Sequence, residues 1–247
     1  MERISCIIHY DGTNYSGFQI QPNSVTIQEK IEKALLKIHK GASIRIIASG
    51  RTDAGVHAMG QVIHFDSPLT LKEKEWKRAM QTLLPSDILV HHVQKVDATF
   101  HSQHHSKSKE YRYFVLNRQD PDIFNRQYVH HVPHTLNIDA MEQACAYIKG
   151  THDFTSFCSM KTTLKGDKVR TVTEATCTKN GDTIEFVFKG NGFLYNMVRI
   201  LVGTLLNIGK GKYPPIYIKQ ILEAKDRNKS GATAPAHGLF LWEVTYE

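Results

Sequence analysis

The chain has only four cysteines, Cys6, Cys145, Cys158 and Cys177, and no two of them form a CxxC pair. That scarcity excludes a disulfide framework and a cysteine-based zinc site, and leaves reduced, mostly buried thiols as the expectation. Apolar runs of membrane-spanning length are also missing. The longest candidate, residues 197–208, is interrupted by Arg199, Gly203 and Asn207 and reads as a core helix. The start, MERISCIIHYDG, lacks the basic stretch, apolar run and small-residue cleavage site of a secretory signal. No low-complexity tail appears. These absences predict a soluble, cytoplasmic protein with no membrane partner.

What is present is a modest excess of positive charge. Lys and Arg number 31 against 24 Asp and Glu, a formal charge of +7 with a pI near 9.1. Such a balance suits a polyanionic partner, although a surplus of lysine also serves plain solubility. A length of 247 residues is enough for a substantial apolar core in one large domain or two ordinary ones.

Periodicity predicts a mixture of element types. Residues Ser5 to His9 read as a strand, followed by turn chemistry at Asp11, Gly12, Asn14 and Gly17. Thr26 with Glu29 forms a capping-box signature that opens a helix over 26–40, stopped by Gly41. A strand over 44–48 leads into a glycine-rich loop at 49–60, and a second strand, 61–65, leaves it. A second capping box, Thr70 with Glu73, opens a helix to about Leu84, which Pro85 closes. Strands are predicted over 88–96 and 110–116, and a helix from Asn137 to Gly150. Two alternating segments flank Asn180-Gly181 as a hairpin. Helices through 197–208 and 215–225 and a strand in LFLWEVTY complete the chain. Strand-helix-strand sets of this kind imply an α+β protein with mainly antiparallel pairing. The polar, aperiodic stretch 97–109 marks a boundary, giving halves at 1–104 and 105–247.

The stretch SGRTDAGVHAMGQ carries the sharpest chemistry. Arg51 and Asp53 lie in a loop whose Gly50, Gly55 and Gly60 permit close backbone approach. A nearby guanidinium favours an ionised carboxylate, which serves as a nucleophile or anchor and poorly as a general acid. Taken alone, the pair also fits a structural turn. Arg199 stands among Met197, Val198, Ile200, Leu201 and Val202, where a charge requires a partner or must snorkel to solvent. Lys107, Lys109 and Arg112, with Lys161, Lys165, Lys168 and Arg170, form two basic clusters suited to a phosphate backbone. His101, His104 and His105, and His130, His131 and His134, invite a metal reading, but neither HExxH nor HxE accompanies them. They are read as polar loop residues, and no metal is expected. His57 is expected to shape the glycine-rich loop.

Seven blocks, YDGTNYSGFQIQP, SGRTDAGVHAMGQVIHF, LLPSDI, KEYRYFV, THDFTSF, NGFLYNMVRILVGTL and APAHGLFLWEV, occur in the order seen in the tRNA pseudouridine synthase A family, which the chain resembles over nearly its whole length. The resemblance implies the pseudouridine-synthase fold: an antiparallel sheet flanked by helices, as two similar halves around a central active-site cleft. It also implies a cofactor-independent isomerase acting on uridines in the anticodon arm of tRNA, and a homodimer. Matched position by position, Asp53 is the nucleophile, Tyr111 the residue stacking on the target base, Arg199 the basic partner of the carboxylate and Arg51 the arginine of flipping. Phe18 departs from the family's usual tryptophan. A non-catalytic RNA-binding protein and a metal-dependent nucleic-acid hydrolase are the competing classes.

Overall fold

In a computed structural model, residues 1–162 and 166–246 are described. In chain order the elements are β1 (Glu2–Tyr10), α1 (Ile27–Ile38), β2 (Ile47–Ala48), β3 (His57–Ser67), α2 (Glu73–Leu83) and β4 (Ile88–Val96). They continue with β5 (Ser108–Leu116), β6 (His130–His131), α3 (Ile138–Ala146), β7 (Gly150–Asp153), β8 (Val169–Asn180) and β9 (Thr183–Gly190). The last are α4 (Met197–Gly209), α5 (Tyr217–Ala224) and β10 (Leu239–Thr245). The architecture is α+β with mainly antiparallel pairing.

Two compact units share these elements: Met1–Lys107 together with the residues from Phe240, and Ser108–Leu239. In the first unit the strands run β4-β1-β3-β10, with β2 on β3. The pairs β1–β3 and β1–β4 are antiparallel, whereas β10 joins β3 in parallel at Phe240↔His57 and Leu241↔Ala58. Helix α1 buries Ile27, Ile31, Ala34 and Leu35, one stripe at helical spacing. Helix α2 buries Trp76, whose ring meets Phe65 of β3 edge-on at 5.3 Å. Its polar side chains also cover the free edge of β4. Gln81 accepts from Val90 N–H and donates to Ile88 C=O, and Lys77 donates to His91 C=O, which blunts an edge open to strand addition.

The second unit orders its strands β5-β9-β8-β7, with β6 on β5. Helix α4 is buried almost all round, and each fully buried aliphatic side chain there contributes roughly 1.5–3 kcal/mol. Such burial is possible because backbones meet directly: a Cβ on Gly203 would lie 1.8 Å from the carbonyl oxygen of Ala232.

Several expected elements shift. Thr26 caps α1, its hydroxyl accepting from Glu29 N–H, but the N-cap of α2 is Lys72, not Thr70. There the Glu75 carboxylate accepts the Lys72 N–H at 2.7 Å, a bond that satisfies an orphan donor of the first turn and leaves Thr70 outside it. The strand expected over 44–48 survives only as Ile47–Ala48, while β3 starts at His57, inside the supposed loop, because β10 pairs with it there. Asn180 pairs with Thr183, so the hairpin turn is Gly181-Asp182, with Gly181 at φ +57. No helix of the described residues is long and apolar enough to cross a membrane.

Candidate active site

The loop carrying Asp53 is held from beneath by buried polar groups. Ser49 O–H donates to Gln61 Oε1 at 2.7 Å, and Gln61 Nε2 donates to Gly50 C=O at 2.9 Å. The Tyr10 hydroxyl lies 2.8 Å from Thr52 Oγ1. Tyr10 reaches that point because β1 bulges between Ile8 and Tyr10 against β3, a distortion that re-aims a side chain. Burial pushes the Tyr10 phenol up to about 12, and its bonds to Thr52 and Gln61 only partly oppose that, so it stays a neutral hydrogen-bonding strut.

Glycines supply the rest. A Cβ on Gly12 would meet Val56 O at 2.0 Å, and one on Gly17, at φ +91, would meet Thr52 O at 2.8 Å. Phe18 N–H donates to Thr52 C=O at 3.0 Å and Val56 N–H to Asp53 C=O at 3.1 Å. Residues 52–56 are thus fixed through the backbone on both sides of Asp53, and its side chain is half-buried at the tip. Buried His57 lies below, its Nδ1 3.0 Å from Gly12 N and 3.1 Å from Asp11 Oδ1. That nitrogen accepts from the first when unprotonated and donates to the second when protonated; both roles shape the loop. Phe18 is 3% exposed with its ring 6.2 Å from that of Tyr10, so an apolar ring fills this position by packing.

Arg51 is exposed and makes no ion pair among the described residues. The turn therefore owes its shape to the polar network and not to a local Arg51–Asp53 bridge.

In the second unit Arg199 sits on the first turn of α4, half-buried. Its Nε donates to Ala234 C=O at 2.7 Å and its Nη1 to Asn196 Oδ1 at 2.9 Å. Asn196 adopts a left-handed conformation, φ +61, at the N-cap, which asparagine tolerates better than most residues. The 231–234 segment is tied back by Ala234 N–H to Arg199 C=O at 3.0 Å and Gly231 N–H to Thr204 Oγ1 at 2.8 Å. The guanidinium fork is thereby aimed by neutral acceptors rather than left to snorkel. Tyr111 lies on β5 opposite Phe188, is 8% exposed, and meets Phe193 edge-on at 5.1 Å. Tyr113, fully buried on the same face, donates its hydroxyl to Pro235 C=O at 2.9 Å.

The basic residues have varied fates. Arg112 is engaged by Glu110 at 2.8 Å and Glu185 at 3.1 Å. Lys109 is half-buried, and burial, then Arg170, pulls its ammonium pKa down. Arg170 donates to Asp167 C=O and Val169 C=O, Lys168 is half-buried, and Lys107 and Lys161 are exposed. Lys165 lies outside the described residues. Among the described residues no group of three or more His, Cys, Asp or Glu is arranged to hold a metal. His101 Nδ1 accepts instead from the Gln103 and His104 backbone at 3.2 Å each.

The network under the loop, Tyr10, Ser49, Thr52 and Gln61, was not singled out by sequence reasoning, nor were Asn196 and Ala234. A usable signal existed in Ser49 and Gln61, polar residues at the two mouths of the glycine-rich loop.

A family model described as tRNA pseudouridine synthase matches residues 6–104 and 144–247. The chain belongs to this tRNA pseudouridine synthase family. Arg51, Asp53 and Arg199 fall inside the matched residues, and Tyr111 lies between them. Among relatives similar to it, tRNA pseudouridine synthase A of Oceanobacillus iheyensis is 53% identical over 247 residues, covering 100% of this chain and 98% of its own. The protein of the same name from Geobacillus kaustophilus is 54% identical over 246 residues, covering 100% of this chain and 95% of its own. A tRNA pseudouridine synthase A 1 of Bacillus cereus is 53% identical, covering 100% and 99%.

Proposed function

We propose that this tRNA pseudouridine synthase acts on the anticodon arm, at about positions 38, 39 and 40, extruding each target uridine before reacting with it. The observation that carries the reading is Asp53: a half-buried carboxylate at the tip of a loop pinned through its backbone on both sides.

Making pseudouridine breaks the N1–C1′ bond, turns the uracil and joins C5 to C1′; the C5 proton leaves and N1 ends protonated. Nothing is oxidised, reduced or hydrolysed overall, so the step needs no cofactor. Asp53 is the nucleophile, attacking C1′ or C6 or assisting a glycal route. Arg199 is the basic partner that keeps the carboxylate charged and oriented, which is why its fork is fixed by Asn196 and Ala234. Tyr111 stacks on the extruded base, contributing about 1–3 kcal/mol toward the cost of unstacking. Phe193 sets its plane. Arg51, exposed beside the loop, fills the vacated stack. The resemblance of the blocks adds a homodimer.

The test is to incubate purified protein with unmodified tRNA transcripts, without added metal or cofactor, and map pseudouridine by primer extension. Product confined to the anticodon arm is expected. Binding with no product across several tRNAs would favour a non-catalytic RNA-binding protein, and cleaved RNA would favour a hydrolase.

A further inference from the structure

The second unit holds a cleft of about 600 Å³ at the far end of α4 from Arg199, bordered by Thr135, Asn137, Lys210, Gly211, Lys212 and Tyr213. No carboxylate among the described residues lines it. Both lysines are exposed, and neither makes an ion pair or hydrogen bond through its ammonium group among the described residues. They are not occupied in ending the helix either. Their backbone N–H groups do that, Lys210 donating to Leu206 C=O and Lys212 to Asn207 C=O, each at 3.0 Å. Tyr213 is 41% exposed, with one ring face stacked on Tyr217 at 4.2 Å and 15°, so its plane is set in advance. Two unspent cations beside a braced aromatic ring match a phosphodiester with its adjoining base or ribose.

We infer that this cleft is a second RNA contact, in which Lys210 and Lys212 grip backbone phosphate and Tyr213 receives the neighbouring nucleoside. Arg199 and Lys210 are eleven residues apart along α4 and its cap, roughly 16 Å at helical rise. One nucleotide therefore cannot occupy both places, and the cleft extends the footprint beyond the target base. The inference rests on the reading that tRNA is the ligand, and is tested through binding so that it can fail separately.

The full-length K210Q/K212Q protein is titrated with an unmodified tRNA transcript over a range of salt concentrations, and single-turnover pseudouridine formation is measured at saturating tRNA. The expected outcome is about tenfold weaker binding near physiological salt, with a log–log salt slope shallower by about 1.4 to 1.8, the release expected for two phosphate contacts. The saturated rate should match wild type. Y213A should weaken binding with the slope unchanged. Kd and slope equal to wild type in the double variant, or weaker binding without a change of slope, would overturn the inference. If wild-type protein forms no pseudouridine but the slope still falls in K210Q/K212Q, the proposed reaction fails and the cleft stands.

Discussion

Asp53 and Arg199 are fixed by opposite means. Asp53 sits on a loop whose position comes from buried hydroxyl and amide groups on β1, on β3 and within the loop itself, plus two glycines that let backbones touch. Arg199 rides a helix buried on nearly every side, and two neutral acceptors at the helix mouth help to aim its fork. The contrast teaches where sensitivity lies. Damage to the loop network should misplace the reactive group at small cost in stability, whereas damage around α4 should first cost stability.

The largest expected effect comes from removing the fork. Arg199→Met should lower the single-turnover rate by about 10²- to 10³-fold, as for loss of one preorganised donor, with tRNA affinity nearly unchanged; Arg199→Lys should recover only part of it, since an ammonium keeps the charge but lacks the rigid planar fork that the two acceptors orient. Rates at saturating tRNA check this. Next is Gly203→Ala, whose methyl would run into Ala232 O. It should destabilise the protein by about 3 kcal/mol, lowering Tm by roughly 6–12 °C in a thermal melt. Thr52→Val sharpens the comparison from the loop side. It removes one of the two partners of the Tyr10 hydroxyl and should cost only about 1 kcal/mol, yet slow the reaction by about tenfold or more as Asp53 drifts.

The smallest effect is shared by both units. Burial, aided by Arg3 and His101, pushes His64 from 6.5 down to about 4, and burial with His237 does the same to His130. Below pH 6.5 the unfolded chain takes up protons that the folded units refuse, so these two groups make stability fall as pH drops from about 6.5 to about 4. His64→Gln and His130→Gln should each flatten the decline of Tm across that window.

Much of this was legible beforehand where the signal is local. The α1 cap at Thr26, the start of α3 just after Asn137 and the alternation of β8 and β9 all depend on neighbours a few residues away, whereas α3 stops at Ala146 and the expected stop, Gly150, opens β7 by pairing with β8. The parallel pairing of β10 with β3 was not, because nothing within LFLWEVTY names a partner some 180 residues earlier. The pair of histidines in β6 carries no strand pattern of its own and pairs only because β5 is alongside. At the site, the glycines around Asp53 and the apolar company of Arg199 drew attention to both. The struts beneath the loop did not stand out, since Tyr10, Ser49 and Gln61 converge from positions up to 51 residues apart.

The central claim is that the Asp53 carboxylate itself reacts. Its most direct test is release of tritium from C5-labelled uridine in a tRNA transcript, followed in a single turnover with Asp53→Asn protein shown to bind that tRNA like wild type. The account predicts release by wild type and none detectable from Asp53→Asn, a loss of more than about 10⁴-fold as for other deleted nucleophiles. Release by Asp53→Asn at a rate near wild type would contradict it.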